Sequence, residues 1–465
     1  MAKKHSINAG GEEWRGMDAT AGYDAARWQG DIRRAQRAIP RIRQRDFQLK
    51  LCDRHGKPLA GQTIAIEQKR STFPWGDQLW HLDRLVRLGR QEHDDAVAWQ
   101  KVFAGLFNAC TALHYWTERP RNDGPKSEEW QGYPKYDALQ WCVDWGNAEG
   151  LLVKGHPLFW SIPKAVPEWL KRYDYATQLR FLEVRIRTIT ARFRGKIRLY
   201  DIVNEPLWEP AFRNLPRRNW PHLEKISALA AMIAQVQRWA REEDPDATYL
   251  VNDYGIMLGD HAVRAVARDG TKVTADFQLK RYIQLLQALQ ERSAAPDAVG
   301  LQSHTAGWGH HDRQVATYEA IGEATGLPVH VTEFWAQTGH LREKGLPQDE
   351  IDARQAEYVI NYITCAFGCP WVEGFFFWGM MKDLIRFNAS GGWETTPVYD
   401  ALQRKLRGEW MTRATAVTDR TGTVKLRGFH GEYALRLMQG RRVIRGGSRF
   451  SVQPGRGTQR VVITV

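Results

Sequence analysis

The sequence lacks any apolar run that approaches the roughly 20 residues needed to cross a bilayer, so no membrane partner is expected. Its first residues, MAKKHSINAGGEEW, are basic, but the apolar segment of a secretory signal does not follow them. No signal peptide is therefore predicted. The chain is expected either to stay in the cytoplasm or to be the trimmed form of a secreted or periplasmic protein.

Cysteine is also scarce: the 465 residues include five cysteines. This odd number is not accompanied by the spacing with histidine that zinc ligands show. Cys365 and Cys369 are one helical turn apart in the apolar segment NYITCAFGCP, which favours buried free thiols. The sequence thus predicts no metal site and no cofactor, and it fits a reducing compartment.

Acidic residues are outnumbered, with 53 Asp and Glu against 66 Lys and Arg, which gives a net charge of +13. A basic chain can bind nucleic acid, and such binding would weaken steeply with salt. The basic residues are scattered, however, and no helix-turn-helix, zinc-finger or RNP-like pattern accompanies them. Dispersed charge is typical of a solvated surface, so no nucleic-acid partner is expected.

What the chain does contain is an alternation of short β-rich runs with long amphipathic helical stretches. The eight β-rich runs are 71–79, 107–116, 151–160, 197–206, 248–256, 298–304, 328–334 and 373–381. Helical segments separate each pair. This pattern favours an α/β fold of the (β/α)₈ TIM-barrel type, over 71–407, rather than a doubly wound sheet.

The segments on either side of the barrel have different patterns. Residues 1–18 are polar and are expected to form a frayed tail, and 19–70 predict a helix followed by a β-hairpin around RHGKPLAG. The segment 408–465 has short alternating strands and glycine turns. It predicts a small accessory β-sandwich-like module, which the N-terminal hairpin is a candidate to join. A structural role is favoured over carbohydrate binding, because few aromatic residues are present.

The β-rich runs begin with apolar residues and end with polar or aromatic ones. These terminal residues are His156, Asn204, Glu205, Asn252, Asp253, Gln302, His304, Glu333 and Trp378. In a barrel the carboxyl ends of all strands open on one face, so we expect these side chains to converge there. Among them are two glutamates. Glycoside hydrolysis requires two carboxyl groups, one to protonate the leaving oxygen and one to attack or to activate water.

Six of these segments, in this order, resemble glycoside hydrolase family 10, the xylanase family, over residues 71–405. They are KGHPLFW, DIVNEP, NDYGI, GLQSH, VHVTEF and FFFWGMMKD. The resemblance implies a retaining mechanism on β-1,4-linked xylan, with Glu205 as the acid/base and Glu333 as the nucleophile, their carboxyl groups ~5–5.5 Å apart. Asn204 would then donate to or accept from the sugar 2-hydroxyl.

The resemblance also assigns roles to further strand-end residues. His304 would orient the nucleophile with Gln302 beside it, and His156 and Trp378 would contact the sugar in the −1 subsite. Tyr254 would lie towards the leaving group. Taken singly, a strand-end histidine is most often a satisfied core group, and a tryptophan is often simple packing.

The second β-rich run departs from the family. TALHYWTER has Leu113, His114 and Thr117 where the family has a T-x-E-N pattern followed by a lysine, and a leucine cannot bind a sugar hydroxyl. Further departures are Ser161 and, after the nucleophile strand, Trp335. Xylan is the expected substrate, and His114, Trp116 and Trp335 are candidates to shape the cleft instead for a decorated xylan, a short oligosaccharide or another β-linked glycan.

Two other interpretations stay open: a glycosidase of the same barrel class with another specificity, and a barrel that only binds carbohydrate. Retention of both glutamates argues against the second, because binding alone requires no nucleophile. The expected partner is a β-linked oligo- or polysaccharide. The sequence leaves open the oligomeric state and the choice between endo and exo action.

Overall fold

The computed structural model describes residues 25–116, 127–128, 133–162, 165–207, 225–257, 265–267, 269–305, 308–309, 311–387, 392–440 and 442–465. The α-helices within these ranges are α1 (Gln29–Ile42), α2 (Trp80–Arg87), α3 (Asp94–Leu106), α4 (Asp137–Ala148), α5 (Tyr175–Arg192), α6 (Ile226–Glu243), α7 (Ala275–Glu291), α8 (His311–Thr325), α9 (Gly339–Glu343), α10 (Gln348–Phe367), α11 (Met381–Leu384) and α12 (Pro397–Leu402). A 3₁₀-helix spans Glu168–Arg172, and a π-helical segment spans Gln403–Glu409.

The strands in the described ranges form the barrel, a two-sheet unit beside it and two short hairpins. They are β1 (Gln44–Cys52), β2 (Thr63–Ser71), β3 (Trp75–Gln78), β4 (Ala109–Leu113), β5 (Leu152–His156), β6 (Phe159–Trp160), β7 (Leu199–Asn204), β8 (Thr248–Asp253), β9 (Ala265–Val266), β10 (Lys272–Val273), β11 (Ala298–Thr305), β12 (Val329–Ala336), β13 (Val372–Phe377), β14 (Ile385–Phe387), β15 (Trp393–Thr395), β16 (Arg413–Val417), β17 (Thr423–Phe429), β18 (Gly431–Gln439), β19 (Arg442–Val452) and β20 (Gln459–Thr464).

Eight parallel strands close into a barrel, as predicted. Their order around the ring is β3, β4, β5, β7, β8, β11, β12 and β13, and β13 pairs with β3 to complete it. Each of these strands lies within, or overlaps, one of the eight β-rich runs of the sequence. Helices α4 to α8 and α10 lie against the outside of the ring and against one another.

The barrel interior becomes more polar along β5 and β7, where alternate residues of each strand point to the same side. Leu199 of β7 belongs to a small apolar cluster at the base of the interior. Two residues further on, Asp201 pairs with Lys154 of β5 at 2.7 Å, and both are fully buried. His156 follows Lys154 on the same face. The apolar start and polar end seen in the sequence are therefore the base and the mouth of the barrel.

The N-terminal and C-terminal strands form one unit of two sheets. One sheet has the order β17, β1, β20, and the other has the order β16, β2, β18, β19. The two share an apolar core that includes Phe47, Leu49, Ile64, Tyr433 and Phe450. The segments 19–70 and 408–465 thus supply strands to the same core.

The predicted N-terminal hairpin is wrong in its pairing. The turn after β1 does form, since Leu59 N–H donates to the carbonyl of Leu51 at 3.0 Å. Beyond this turn the chain crosses over, so β1 lies in one sheet and β2 in the other. The alternation of apolar and polar residues correctly predicts that β1 and β2 are extended. Each of them, however, pairs with strands of the C-terminal segment rather than with the other.

The helix predicted at the start of the segment 19–70 is observed as α1, and residues 19–24 lie outside the described part of the chain. It packs along α10. Arg43, just after α1, donates to the carbonyls of Phe367 and Cys369, both at 2.9 Å. All five cysteines are buried and free, among them Cys365 and Cys369, for which buried free thiols are predicted. No helix of the described ranges has both the length and the apolar character that crossing a membrane requires.

Candidate active site

Glu205 and Glu333 lie at the mouth of the barrel, and a chain of side-chain hydrogen bonds joins them. Gln302 Nε2 donates to Glu205 Oε1 at 2.9 Å and approaches Asn204 Oδ1 at 3.3 Å. Asn252 Nδ2 donates to Asn204 Oδ1 at 2.8 Å and to Glu333 Oε1 at 2.9 Å. Three amides from three strands therefore fix the two carboxylates relative to each other.

Glu205 sits where β7 ends, in a backbone conformation that few non-glycine residues adopt. Its φ is 55°, which carries a strain of about 1–3 kcal/mol that the surroundings must hold. Its N–H donates to the carbonyl of Asn252 at 2.7 Å. On the other side, Asp253 Oδ2 accepts from Leu207 N–H at 2.9 Å. The turn directs the carboxylate into the cleft, where Trp160 Nε1 donates to its Oε2 at 2.8 Å.

Asp253, which holds this turn, is completely buried. Burial is the largest cause that raises the pKa of its carboxyl well above the ordinary value, and the nearby charge of Glu205 raises it further. The backbone N–H groups of Leu207 and Tyr254 act in the opposite direction.

Glu333 is nearly buried and is surrounded by nitrogen groups. His304 Nε2 lies 3.0 Å from its Oε2, and Asn252 Nδ2 contacts its Oε1. The orientation of the Asn252 amide is set by Thr332, whose hydroxyl donates to Oδ1 at 2.6 Å. Because that oxygen is occupied, the NH₂ group faces Glu333. His156 Nε2 is further away, 3.9 Å from Glu333 Oε1.

His156 is held from below by Asp201, a residue that the sequence analysis did not single out. His156 Nδ1 lies 2.6 Å from Asp201 Oδ2, the same oxygen that contacts Lys154. Burial alone would raise the pKa of Asp201, but Lys154 and His156 bring it below the ordinary value. An ionised Asp201 requires a proton on Nδ1 of His156. The Nε2 atom is thus directed to the mouth.

Tyr115 is a second residue that sequence reasoning missed. Its ring is 5.3 Å from that of Trp160 and 5.9 Å from that of His156. Burial, followed by the charges of Glu333 and Glu205, raises the pKa of its phenol well above the ordinary value. The phenol therefore lies near both carboxylates. Strand parity contains the signal, because Tyr115 has the same parity as the inward-facing Ala109 of β4.

Trp378 follows β13 and forms a wall of the same site. Its ring centroid is 5.0 Å from that of His156 and 6.4 Å from that of His304. The loop after it is held by the buried carboxylate of Asp77, which accepts from Gly379 N–H at 2.9 Å. Burial, the largest cause, raises the pKa of Asp77 to about 7.

His114, proposed above as a cleft residue, lies apart from the carboxylates. It is fully buried, and its ring contacts that of Tyr200 on the helix side of the barrel. Its carbonyl accepts from the guanidinium of Arg185. Burial lowers the pKa of its imidazole well below the ordinary value. The physical reason is strand alternation: Leu113 and Tyr115 point inwards, so the residue between them points outwards. Thr117 lies outside the described residues.

Trp335 is at the mouth, two residues after Glu333. It pairs in register with His304 of β11. Its Nε1 donates to Asp383 Oδ2 at 2.8 Å, and the ammonium of Lys382 lies 3.3 Å from its ring centroid. Tyr254, at the end of β8, packs against a small cluster that includes Val273.

The arrangement offers two carboxylates in one cleft with different surroundings. Glu333 is nearly buried and is oriented by an imidazole and an amide, whereas Glu205 is partly accessible to solvent. Such a pair can supply a fixed nucleophile and an acid that exchanges protons with water. In the described part of the chain, no group of three or more His, Cys, Asp or Glu side chains is arranged to hold a metal ion.

Comparison with known proteins gives a family match. The model of "Glycosyl hydrolase family 10" matches residues 125–398. "Endo-1,4-beta-xylanase 1" of Arabidopsis thaliana is 24% identical over 422 residues, which are 88% of this chain and 38% of that protein. "Anti-sigma-I factor RsgI6" of Acetivibrio thermocellus is 24% identical over 413 residues, 87% of this chain and 46% of that protein. The chain thus spans less than half the length of these two relatives.

A solved structure agrees with the fold. The structure described as "GH10 from Paenibacillus barcinonensis" superposes with a TM-score of 0.52 at 19% sequence identity, covering 72% of this chain and 96% of that one. At this identity the similarity concerns the barrel itself.

Proposed function

The chain belongs to glycosyl hydrolase family 10 and is a glycoside hydrolase, and from this premise we propose that it cleaves β-1,4-xylosidic linkages with retention of configuration. Glu333 attacks the anomeric carbon while Glu205 protonates the departing glycosidic oxygen. The resulting glycosyl-enzyme is hydrolysed by a water molecule that Glu205 deprotonates. Glu205 thus gives up a proton in the first step and regains one from water in the second, and Glu333 is released as a carboxylate when its bond to the sugar breaks.

The observation that carries this assignment is the hydrogen-bonded connection between Glu205 and Glu333 through three amides. The nucleophile must be held at a fixed angle to the anomeric carbon, and the buried carboxylate with the imidazole contact, Glu333, fits that role. The acid/base must exchange protons with water between the two steps, and the more accessible Glu205 fits that role.

We assign the sugar in the −1 subsite to the space between the two glutamates, Trp378 and His156. Asn204 lies beside Glu205, where its amide can contact the sugar 2-hydroxyl, a contact that strengthens in the transition state. His156 presents Nε2, since its Nδ1 is held by Asp201. Tyr115 adds a phenol close to both carboxylates.

A different β-linked glycan is the second candidate substrate, and the second barrel strand favours it. Leu113 and Tyr115 both face inwards and His114 is turned away from the cleft, so Tyr115 supplies the polar group of this segment. A site that reads sugars through a tyrosine at this position differs in its polar groups, and such groups determine which sugar is accepted.

We further propose that the two-sheet unit is an accessory β-sandwich-like module with a structural role. Its aromatic residues Phe47, Phe429, Tyr433 and Phe450 are buried. Among the described residues of this unit, the exposed large apolar side chains are aliphatic, namely Val417, Val443, Ile444 and Val462. Sugar rings bind to exposed aromatic faces, so buried aromatic residues and an aliphatic surface favour a structural role for this unit.

The test is product analysis by mass spectrometry with xylan, arabinoxylan, mixed-linkage β-glucan and short β-linked oligosaccharides. Wild type should cleave a xylan, and Glu333→Gln should lose at least about 1,000-fold in activity, because the amide cannot act as nucleophile. Glu350→Gln, the same change at an exposed glutamate paired with Arg354, serves as the matched control.

Cleavage of another glycan with the same dependence on Glu333 would favour the second candidate. Wild-type activity that survives in Glu333→Gln would refute the assigned nucleophile, and an inactive wild type would refute the proposed activity on these substrates.

A further inference from the structure

Lys382 places an ammonium group at the barrel mouth, against Trp335, which lies two residues after the assigned nucleophile. Its Nζ lies 3.3 Å from the ring centroid of Trp335. Trp335 is in register with His304, and His304 contacts Glu333. Because in-register neighbours in parallel strands point to the same side, Lys382 lies above the cleft, one layer further out than Glu333.

This ammonium makes no direct ion pair with any of the described residues. Within the described ranges, no carboxylate oxygen lies within ion-pair distance of Lys382 Nζ. The adjacent carboxylate, that of Asp383, is used by Trp335 Nε1 at 2.8 Å and by Gln355 Nε2 at 3.3 Å. Burial is the largest cause that lowers the pKa of Lys382, and the charge of Arg342 also lowers it, whereas the charges of Asp383 and Asp77 raise it. The site thus holds a partly desolvated ammonium near charges of both signs, with no carboxylate in direct contact with it among the described residues.

A second lysine shows what a paired ammonium looks like. Lys405 lies over the ring of Trp410 at 5.4 Å, in the same kind of cation–aromatic contact. Unlike Lys382, it has an ion-pair partner, the carboxylate of Glu409. Lys405 is on the π-helical segment, away from the barrel mouth. Both lysines therefore contact an indole ring. Of the two, Lys405 also has a carboxylate in direct contact, and Lys382 at the barrel mouth does not.

We infer that Lys382 binds the carboxylate of a uronic acid side group, so that the substrate is an acidic, uronate-bearing β-glycan. This inference rests on the proposed function and names the substrate class more closely. A charge-assisted hydrogen bond from a partly desolvated ammonium gains more from a carboxylate than from a sugar hydroxyl. The net charge of +13 also favours the approach of an anionic polysaccharide.

The experiment compares three xylo-oligosaccharides of equal main-chain length. One carries a single glucuronic acid group, one carries the same group with its carboxyl reduced to an alcohol, and one is unsubstituted. The variants are Lys382→Met, which removes the charge and keeps the aliphatic stem, and Lys382→Arg, which keeps the charge. Lys405→Met is the matched control.

For Lys382→Met, kcat/KM on the acidic oligosaccharide should fall about 10-fold, the order expected for one charge-assisted contact. The reduced and unsubstituted oligosaccharides should change by about twofold or less, because they have no carboxylate. Lys382→Arg should recover part of the loss. The wild-type preference for the acidic over the reduced substrate should shrink as salt is raised.

Equal losses on all three substrates would overturn the inference, since Lys382 would then support Trp335 or the main chain. A wild type that does not distinguish the acidic from the reduced oligosaccharide would overturn it as well. If wild type cleaves none of the three, the proposed function fails on its own. Calorimetric binding of the same oligosaccharides then decides on Lys382: tighter binding of the acidic one that Lys382→Met abolishes supports the site, and its absence refutes it.

Discussion

Arg185 of α5 is a buried cation on which the second barrel segment depends. Its guanidinium donates to the carbonyl of Leu158 at 3.0 Å and to Ser127 Oγ at 2.6 Å, and it faces Glu128 Oε1 at 3.5 Å. The same guanidinium also donates to the carbonyl oxygen of His114. Burial is the largest cause that lowers the pKa of Arg185 and that raises the pKa of Glu128.

Removing one partner of a buried ion pair leaves the other charge buried without compensation. We therefore expect Arg185→Met to lower the free energy of unfolding by about 3–5 kcal/mol. Combining it with Glu128→Gln removes the uncompensated charge and keeps an acceptor for Trp116 Nε1, which donates to Glu128 at 2.9 Å. The double variant should recover about 1–3 kcal/mol relative to the sum of the single changes.

Arg187 offers a matched control two residues away on the same helix. It pairs with three carboxylates, those of Glu183, Glu242 and Glu243, whereas Arg185 faces one, but the Arg187 side chain is 31% exposed. Exposed pairs contribute about 0–1 kcal/mol, so Arg187→Met should have a small effect. Urea unfolding followed by tryptophan fluorescence compares wild type with Arg185→Met, Glu128→Gln, their combination and Arg187→Met. Equal losses for Arg185→Met and Arg187→Met, or strict additivity with Glu128→Gln, would refute the reasoning.

Three further predictions concern the site. Glu205→Gln should lower the rate of cleavage of natural oligosaccharides by at least about 100-fold. It should spare aryl glycosides with good leaving groups, because those need no protonation. Steady-state kinetics on the two substrate classes measures the two losses, and equal losses would contradict the acid role. Tyr115→Phe should lower kcat/KM by about 10-fold with a change in unfolding free energy of about 1 kcal/mol or less, if the phenol contacts substrate; a loss of stability without a loss of activity would contradict it. The pKa of Asp77 is raised from 3.8 to about 7 in the folded protein. Between these two pH values the folded state therefore binds more protons than the unfolded state. The stability that protonated Asp77 contributes is fully present below pH 3.8 and is lost as the pH rises to about 7. Asp77→Asn should flatten that part of the stability profile in denaturant titrations at several pH values, and an unchanged slope would count against it.

Much of the mouth of the barrel could be predicted because closure of the ring alone brings strand ends together. Gln302 and His304 on β11, for example, reach the glutamates of β7 and β12 through this geometry. Asp201 was missed because it lies one layer below the mouth. The available signal was that Asp201 is a charged residue inside an apolar strand. It also has the same parity as Leu199, which faces the barrel interior.

The second segment shows where sequence reasoning failed. His114 was assigned by its position in a family pattern, whereas strand alternation turns it outwards and brings Tyr115 inwards. The crossing of β1 and β2 into different sheets could not be read from the sequence either, since alternation carries no information about the partner strand. In both cases, long-range packing chose between options that are locally equivalent.

The two-sheet unit is completed only by strands on both sides of the barrel in chain order, and this affects how the protein is made. During synthesis at roughly 5–20 residues per second, the roughly 330 residues of the barrel delay the partners of β1 and β2 by tens of seconds. Both strands then present apolar faces and open edges to the surroundings. Their alternate charged residues, in QRDFQLKLC and TIAIEQKRS, are of the kind that discourages edge-to-edge association. These charged residues thus limit the association of β1 and β2 with other chains until the C-terminal strands have been synthesised.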